Sequence, residues 1–552
     1  FTLFEKTDEG FKVRVQTDNR DQPFDINESS KLELGSTAKL RVLTTYLQIV
    51  SELYQHYAPM TPEQLRQEKY EPMDLIRRWA IGYLLQNREA SLPAMLQAAL
   101  ERKYSASPYE SFFTGGGIHT FNNFRKEDNG RNPTLYEALQ ESINLPFVRL
   151  LRDIVRYSLY LNPDRSTLLS DDKDPRRQEY LKRFADREGK TYLQKFWRKY
   201  RGKQEKEQLQ TLIDGMRPGK SKLAAVFRYL YPQASQKALG AFIQTNLPNE
   251  SLTAKELSNL YQLYGPGKFS LPDQGYVARV HPLDLWLLGF LIDHPQATFQ
   301  AAVKARQNQR LEVYGWLFNS RHRSARDSRI RTMLEIEAFT DIHQRWQKVG
   351  YPFDHLVPSL ATAIGSSGDR PAALAELIGI IQNDGIRLPV ERIDYLHFAK
   401  NTPFETTFAT VPTQGERVLP SEVATALRGA LSRVVDAGTA RRISGSFLLN
   451  DGTVLQMGGK TGTGDNRLEK VGRYGQVISS QALNRTATFV FYIGDKHFGT
   501  LTAFVEGSSA DSFRFTSALP VQVLKGMVPL LLPVLDPHEQ GECLPSTTDP
   551  EI

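Results

Sequence analysis

Apolar and polar positions alternate at the start of the chain. Thr2-Leu3-Phe4-Glu5 and Phe11-Lys12-Val13-Arg14-Val15 flank the turn residues Asp8-Glu9-Gly10, a pattern that predicts a two-stranded hairpin. From Gly35 the period lengthens: Leu40, Leu43, Tyr46, Leu47 and Val50 recur at helical spacing, which places a helix opening near Ser36. Helical patterning continues through Tyr104, gives way to a glycine-rich loop at Gly115-Gly116-Gly117, and resumes from Thr134 through Ala138 and Leu139. Residues 161–350 are polar, basic and helical in period, broken at Pro175, Pro218, Pro248, Pro266 and Pro282. An inner face there carries Trp286, Leu287, Leu288, Phe290 and Leu291, so this stretch reads as a separate helical module. Period two returns in Ala487 to Ile493 and Thr500 to Val505, around the turn Gly494-Asp495-Lys496, and Val454 to Thr463 precedes them as a third strand. Thr516 to Leu532 closes the fold as a helix, followed by a mobile tail; no internal repeat is evident.

Composition narrows the functional classes. With 552 residues, 40% hydrophobic and 10% aromatic, the chain can bury a large core, and its 69 Lys+Arg against 62 Asp+Glu argue against disorder. Cys543 is the sole cysteine and makes neither an internal disulfide nor a cysteine-rich zinc site. The basicity is local: residues 161–230 hold 18 Lys+Arg against 10 Asp+Glu, and Arg321, Arg323, Arg326, Arg329 and Arg331 form a second cluster. Either an anionic partner such as lipid headgroups or an acidic polymer, or a solvated helical face, accounts for this, and no stacking or groove-reading motif supports nucleic acid. No uninterrupted run of eighteen apolar residues occurs, since Lys525 and two prolines break Val523 to Val534, so no membrane-spanning segment is expected here. The chain opens on Phe1 rather than Met, and we expect it to be part of a longer protein with an anchor, signal or further domain upstream.

Three short elements carry chemistry: Ser36-Thr37-Ala38-Lys39, Ser142-Ile143-Asn144 and Lys460-Thr461-Gly462-Thr463. Positions i and i+3 share a helix face, so the Lys39 amine is expected within hydrogen-bonding reach of the Ser36 hydroxyl. A lysine can activate a serine when burial and a second cation lower its pKa, and Lys460 is a candidate for that cation. The Ser36 amide at a helix N-terminus can face an oxyanion. Ser170 with Lys173 repeats the spacing but lacks an apolar face to hold it. Glycines around Lys460 let a substrate backbone approach the strand, and one cation with two hydroxyls suits a carboxylate.

In this order the elements resemble the S-x-x-K, S-x-N and K-T-G motifs of the penicilloyl serine transferases, which include penicillin-binding transpeptidases and serine β-lactamases. Residues 134–150 are similar to the segment around S-x-N in class A penicillin-binding proteins, as is Leu431 to Ala440 to the stretch before the K-T-G strand. Ala361 to Ser366 and Leu377 to Gly385 are similar to the helical stretch those enzymes place over the cleft. The resemblance implies an α+β fold: an antiparallel β-sheet flanked by helices, with a helical subdomain and, here, a large helical insertion. It divides the chain into a transpeptidase domain at 1–155 and 351–530, a basic helical insertion at 161–350 and a flexible tail at 531–552.

By the same resemblance Ser36 is the acylated nucleophile, Lys39 its base, Ser142 a proton relay and Asn144 a holder of the substrate amide. Lys460 supports the relay, Thr461, Gly462 and Thr463 bind the substrate carboxylate, and the Ser36 and Thr463 N–H groups form an oxyanion hole. No metal or cofactor is expected. The implied function is a serine D,D-transpeptidase acting on peptidoglycan stem peptides and acylated by β-lactams, at the extracytoplasmic face of the cell envelope. The alternatives are a D,D-carboxypeptidase, a serine β-lactamase, or a non-catalytic scaffold or sensor that recruits partners through the insertion. The next glutamate after Asn144 is Glu179, which leaves no obvious carboxylate for β-lactamase deacylation. Two departures weaken the class A label. Leu40-Arg41 stands where those proteins carry Pro-Phe, and Gly464 follows Thr463.

Overall fold

The computed structural model describes residues 1–19, 24–114, 117–305, 311–315, 318, 323–393, 395–409, 414–471 and 477–535. A six-stranded sheet is assembled from both ends of the chain: β1 (Thr2–Lys6), β2 (Phe11–Gln16), β3 (Val390–Glu391), β4 (Met457–Val471), β5 (Val477–Ile493) and β6 (His497–Glu506). Their spatial order is β4-β5-β6-β1-β2-β3, antiparallel except for the short β2–β3 pair. The hairpins expected at residues 1–16 and around Gly494 are both present. The third expected strand, Val454 to Thr463, is met by β4, which begins three residues later at Met457 and runs eight residues further to Val471. Gly115 and Gly116 of the expected glycine loop lie outside the described residues.

Contact grouping divides the chain into two compact units, Phe1–Pro163 with Glu335–Ile552, and Asp164–Leu334. Among its described residues the second has helices only, and it packs Leu223, Leu285, Leu288 and Trp286 into its own core. Its buried Asp284 accepts hydrogen bonds from the Tyr200 hydroxyl at 2.7 Å and the Lys199 amine at 2.8 Å. Residues 335–350, expected within this helical module, group instead with the first unit. The reason is local: in the helix Arg323–Lys348, Trp346 donates its indole N–H to Thr45 at 3.0 Å and Arg345 grips the Glu52 carboxylate. Arg321 of the expected arginine cluster lies outside the described residues, while Arg323 lies 3.1 Å from Asp172.

Helix α1 (Ala38–Tyr57) is the centre of the first unit. It is buried almost all round, as expected of a helix enclosed by other elements rather than laid on a surface. The short 3-10 turn Gly35–Thr37 leads into it, so regular α-helical geometry begins at Ala38, two residues after the expected opening near Ser36. The residues that lead into this turn are pressed onto β4, backbone against backbone: a Cβ on Gly462 would meet Leu34 O at 2.1 Å, and one on Gly35 would meet Thr463 O at 2.1 Å. Gly35 also sits at φ +56, where other residues are strained.

Arg41, the residue that departs from the class A pattern, is wholly buried and donates to Asp369 at 2.5 and 3.2 Å and to Val349 O at 3.1 Å. Asp369 in turn exchanges backbone hydrogen bonds with Leu32. The guanidinium therefore ties α1 to the strip that carries the chain into Ser36. Helix α2 (Ala518–Leu535) closes the first unit, its buried stripe Val521, Leu524, Val528 and Leu531 packing against β5 and β6. By length and composition this helix could cross a membrane, although no uninterrupted apolar run marks it in the sequence. It runs to Leu535, past the expected start of the tail at residue 531; residues 536–552 lie outside the described residues.

Removing one partner of a buried, hydrogen-bonded ion pair leaves an uncompensated charge. Asp369→Ala is expected to cost the first unit about 3–5 kcal/mol in urea unfolding, whereas breaking the exposed Arg66–Glu63 pair should leave the midpoint near that of the wild type.

Candidate active site

The three motif elements meet in one cleft of about 680 Å³, lined among others by Ser36, Ser142, Asn144, Thr461, Gly462 and Thr463. Ser36 arrives on the turn before α1, Lys39 on the first turn of α1, and Lys460 to Thr463 on β4. Ser142 and Asn144 come from the junction between the helices Leu135–Gln140 and Asn144–Leu161.

That junction is a Schellman turn. The Ile143 N–H donates to Ala138 O at 2.9 Å and the Ser142 N–H to Leu139 O at 3.2 Å, with Ser142 in the left-handed region at φ 60. Glycine normally occupies this position, and a serine there costs roughly 1–3 kcal/mol. Asn144 opens the next helix, where Asn122 O accepts from its Nδ2 at 3.0 Å. Asn123 Oδ1 accepts from the Leu145 N–H at 3.1 Å, and its own amide is held by Ala106 O and Asn129.

Two amines converge on this turn. Lys39 Nζ donates to Ser142 O at 2.6 Å, Ser142 Oγ at 3.2 Å and Asn144 Oδ1 at 2.8 Å. Lys460 Nζ donates to Ser142 Oγ at 2.8 Å and Thr461 O at 2.8 Å. Both lysines are 0% exposed, and among the described residues neither forms a salt bridge with a carboxylate. Burial pushes Lys460 down to about 7. Lys39 lies well below the ordinary lysine value, first by burial and second by the nearby Lys460 charge, with Asp128 opposing in part. A neutral amine is thus accessible near neutral pH.

One expectation is corrected. The Lys39 amine makes no hydrogen bond with the Ser36 hydroxyl, because all three of its donors are taken by Ser142 and Asn144. Ser36 is half-buried, lines the cleft, and its hydroxyl has no hydrogen-bond partner among the described residues. The Thr463 backbone packs directly on Gly35, the residue before Ser36.

Other contacts were not singled out from sequence. The Thr439 and Thr461 hydroxyls bond at 2.6 Å, and Thr463 Oγ1 accepts the Ser517 N–H at 3.0 Å. Thr439 falls in the Leu431 to Ala440 segment, but nothing in its sequence context distinguished it as a neighbour of β4. The Asn122-Asn123 pair carries no motif in the sequence that would have marked it.

No known protein-family profile matches the chain. It is similar to penicillin-binding protein 1B of Escherichia coli (strain K12), 26% identical over 128 residues, which are 23% of this chain and 14% of that protein. Among solved structures it is similar to a peptidoglycan synthetase from Bifidobacterium adolescentis, at 12% identity and TM-score 0.36, over 97% of this chain and 57% of that one. It is also similar to the penicillin-binding protein PonA1 from Mycobacterium tuberculosis, at 13% identity and TM-score 0.37, over 96% of this chain and 76% of that one. The chain thus spans a small part of its curated relative and little over half of the first of these structures.

The left-handed turn makes a stability prediction. Ser142→Gly should unfold in urea within about 1 kcal/mol of wild type, because relief at φ 60 offsets the lost hydroxyl bonds. Ser142→Val, β-branched in the same place, should lose about 2 kcal/mol or more.

Proposed function

We propose that this chain is a serine acyltransferase of the penicillin-binding type, a D,D-transpeptidase that forms an acyl-enzyme at Ser36. The observation that carries the reading is the Ser142 hydroxyl held between two buried amines, 3.2 Å from Lys39 Nζ and 2.8 Å from Lys460 Nζ, in the cleft that Ser36 lines. A hydroxyl bridging two amines of lowered pKa is suited to passing protons, not to holding a structural charge pair.

In this reading the Ser36 hydroxyl turns toward the neutral Lys39 amine, which takes its proton as Oγ attacks the carbonyl carbon of a D-Ala-D-Ala peptide bond. The C–O bond forms as the carbonyl π bond opens, and the resulting oxyanion faces the Ser36 and Thr463 N–H groups, each worth a few kcal/mol when well aimed. Collapse breaks the C–N bond, and the leaving amine receives its proton from Ser142 Oγ, replenished by a neighbouring lysine. Asn144 holds the substrate amide, and Thr461 and Thr463 with Gly462 receive the terminal carboxylate. An acceptor amine then reverses these steps and takes the acyl group. β-Lactams acylate the same serine. Peptidoglycan stem peptides as substrate put the cleft on the extracytoplasmic side of the cell envelope, and the basic insertion is read as a contact to wall or membrane.

Labelled benzylpenicillin should leave a stable adduct that maps to Ser36 and disappears in Ser36→Ala. The absence of any adduct on the wild type, or its persistence in the variant, rejects the reading.

The acylation rate should rise with pH as Lys39 loses its proton, at a pH well below the ordinary lysine range. Lys460→Met removes the neighbouring charge that helps depress Lys39, so the rising limb should shift to higher pH while remaining below about 10.4. Stopped-flow acylation across pH 5–10 measures both limbs.

A further inference from the structure

The cleft carries positive charge that the acyl-transfer steps do not use. Arg125, Asp128 and Glu141 line it, and these compensate one another together with Arg131. Arg131 donates to Asp128 at 2.9 Å and to both Glu141 oxygens at 2.7 Å, and Arg125 lies 3.8 Å and 3.9 Å from the same two carboxylates. Lys39 and Lys460 lose charge through burial. Arg441 and Arg442 also line the cleft, and they are different. Both are exposed, they are adjacent like charges, and among the described residues neither guanidinium has an ion pair or hydrogen-bond partner.

Their placement is fixed by the site itself. They open the 3-10 turn Arg441–Ile443, two residues after Thr439, whose hydroxyl bonds that of Thr461. Arg442 O accepts from the Lys525 amine at 2.7 Å, which pins the turn against α2. Guanidinium groups present a planar fork that matches a carboxylate, and two adjacent ones without a counter-charge favour an anion.

We propose that Arg441 and Arg442 form a subsite for a second carboxylate on the acyl donor, one additional to the terminal carboxylate received by Thr461 and Thr463. The preferred donor is accordingly a peptide bearing an acidic side group close to its C-terminal end. This inference rests on the acyl-transfer reading above and specifies its substrate class.

The test compares acylation by benzylpenicillin, which has one carboxylate, with acylation by α-carboxybenzylpenicillin, which has two. Arg441→Gln with Arg442→Gln should slow the dianionic compound about tenfold and the monoanionic one by less than about twofold, with Arg441→Lys and Arg442→Lys together retaining part of the difference. In the wild type, raising salt from about 0.05 to about 0.5 M should slow the dianion more than the monoanion. An unchanged dianion rate in the glutamine variant, or an equal fall for both compounds, overturns the subsite and leaves Ser36 chemistry intact. A wild type that takes no adduct from either compound defeats the acyl-transfer reading, and the subsite with it.

Discussion

Two lysine amines are buried a hydrogen bond apart from the same serine hydroxyl, with no carboxylate in salt-bridge contact among the described residues. An isolated buried ammonium is costly, and the folded protein answers by moving both amines toward neutrality and surrounding them with oxygen acceptors. Ser142 O, Asn144 Oδ1 and Thr461 O accept hydrogen bonds from the N–H groups of the two amines. The arrangement is costly as structure alone, and a site that can hold or release a proton near neutral pH suits the acyl transfer proposed for it.

The rest of the first unit can be understood as what keeps those groups in register. Backbone contact between the Leu34–Gly35 strip and β4 leaves no room for side chains, so the turn before α1 is set by β4 itself. Arg41 and Asp369 lock the same strip from the α1 side, through a guanidinium that also caps backbone carbonyls. The Schellman turn places Ser142 where an ordinary helix end would place glycine, and the Asn122-Asn123 pair fixes the helix that follows. Backbone strain and close backbone approach both collect at the cleft, as they tend to where geometry is held for function.

The sheet explains how these remote pieces are brought together. β1 pairs with β6, joining the first residues to the last third of the chain, and β4 reaches α1 from the far edge. The helical unit 164–334 has its own buried core, so a long insertion between Ser142 and Lys460 is compatible with a continuous sheet. The Arg323–Lys348 helix begins in one grouping and ends in the other, which is why a boundary drawn from polarity alone fell at residue 350 rather than 334.

Sequence by itself determined the elements whose periodicity is long and whose chemistry is local: the terminal hairpin, α1, the β5–β6 pair, and the three motifs with their order. It also marked Arg41 as a departure, without revealing that a buried carboxylate 328 residues away accounts for it. Only the tertiary structure decided that Lys39 bonds Ser142 and Asn144 rather than Ser36, that Ser142 is left-handed, and that Thr439, Ser517, Arg441 and Arg442 join the cleft. The physical reason is the same in each case. Hydropathy period and residue type report what a segment faces, whereas the partner of a buried polar group is chosen by which other segment the fold brings within about 3 Å.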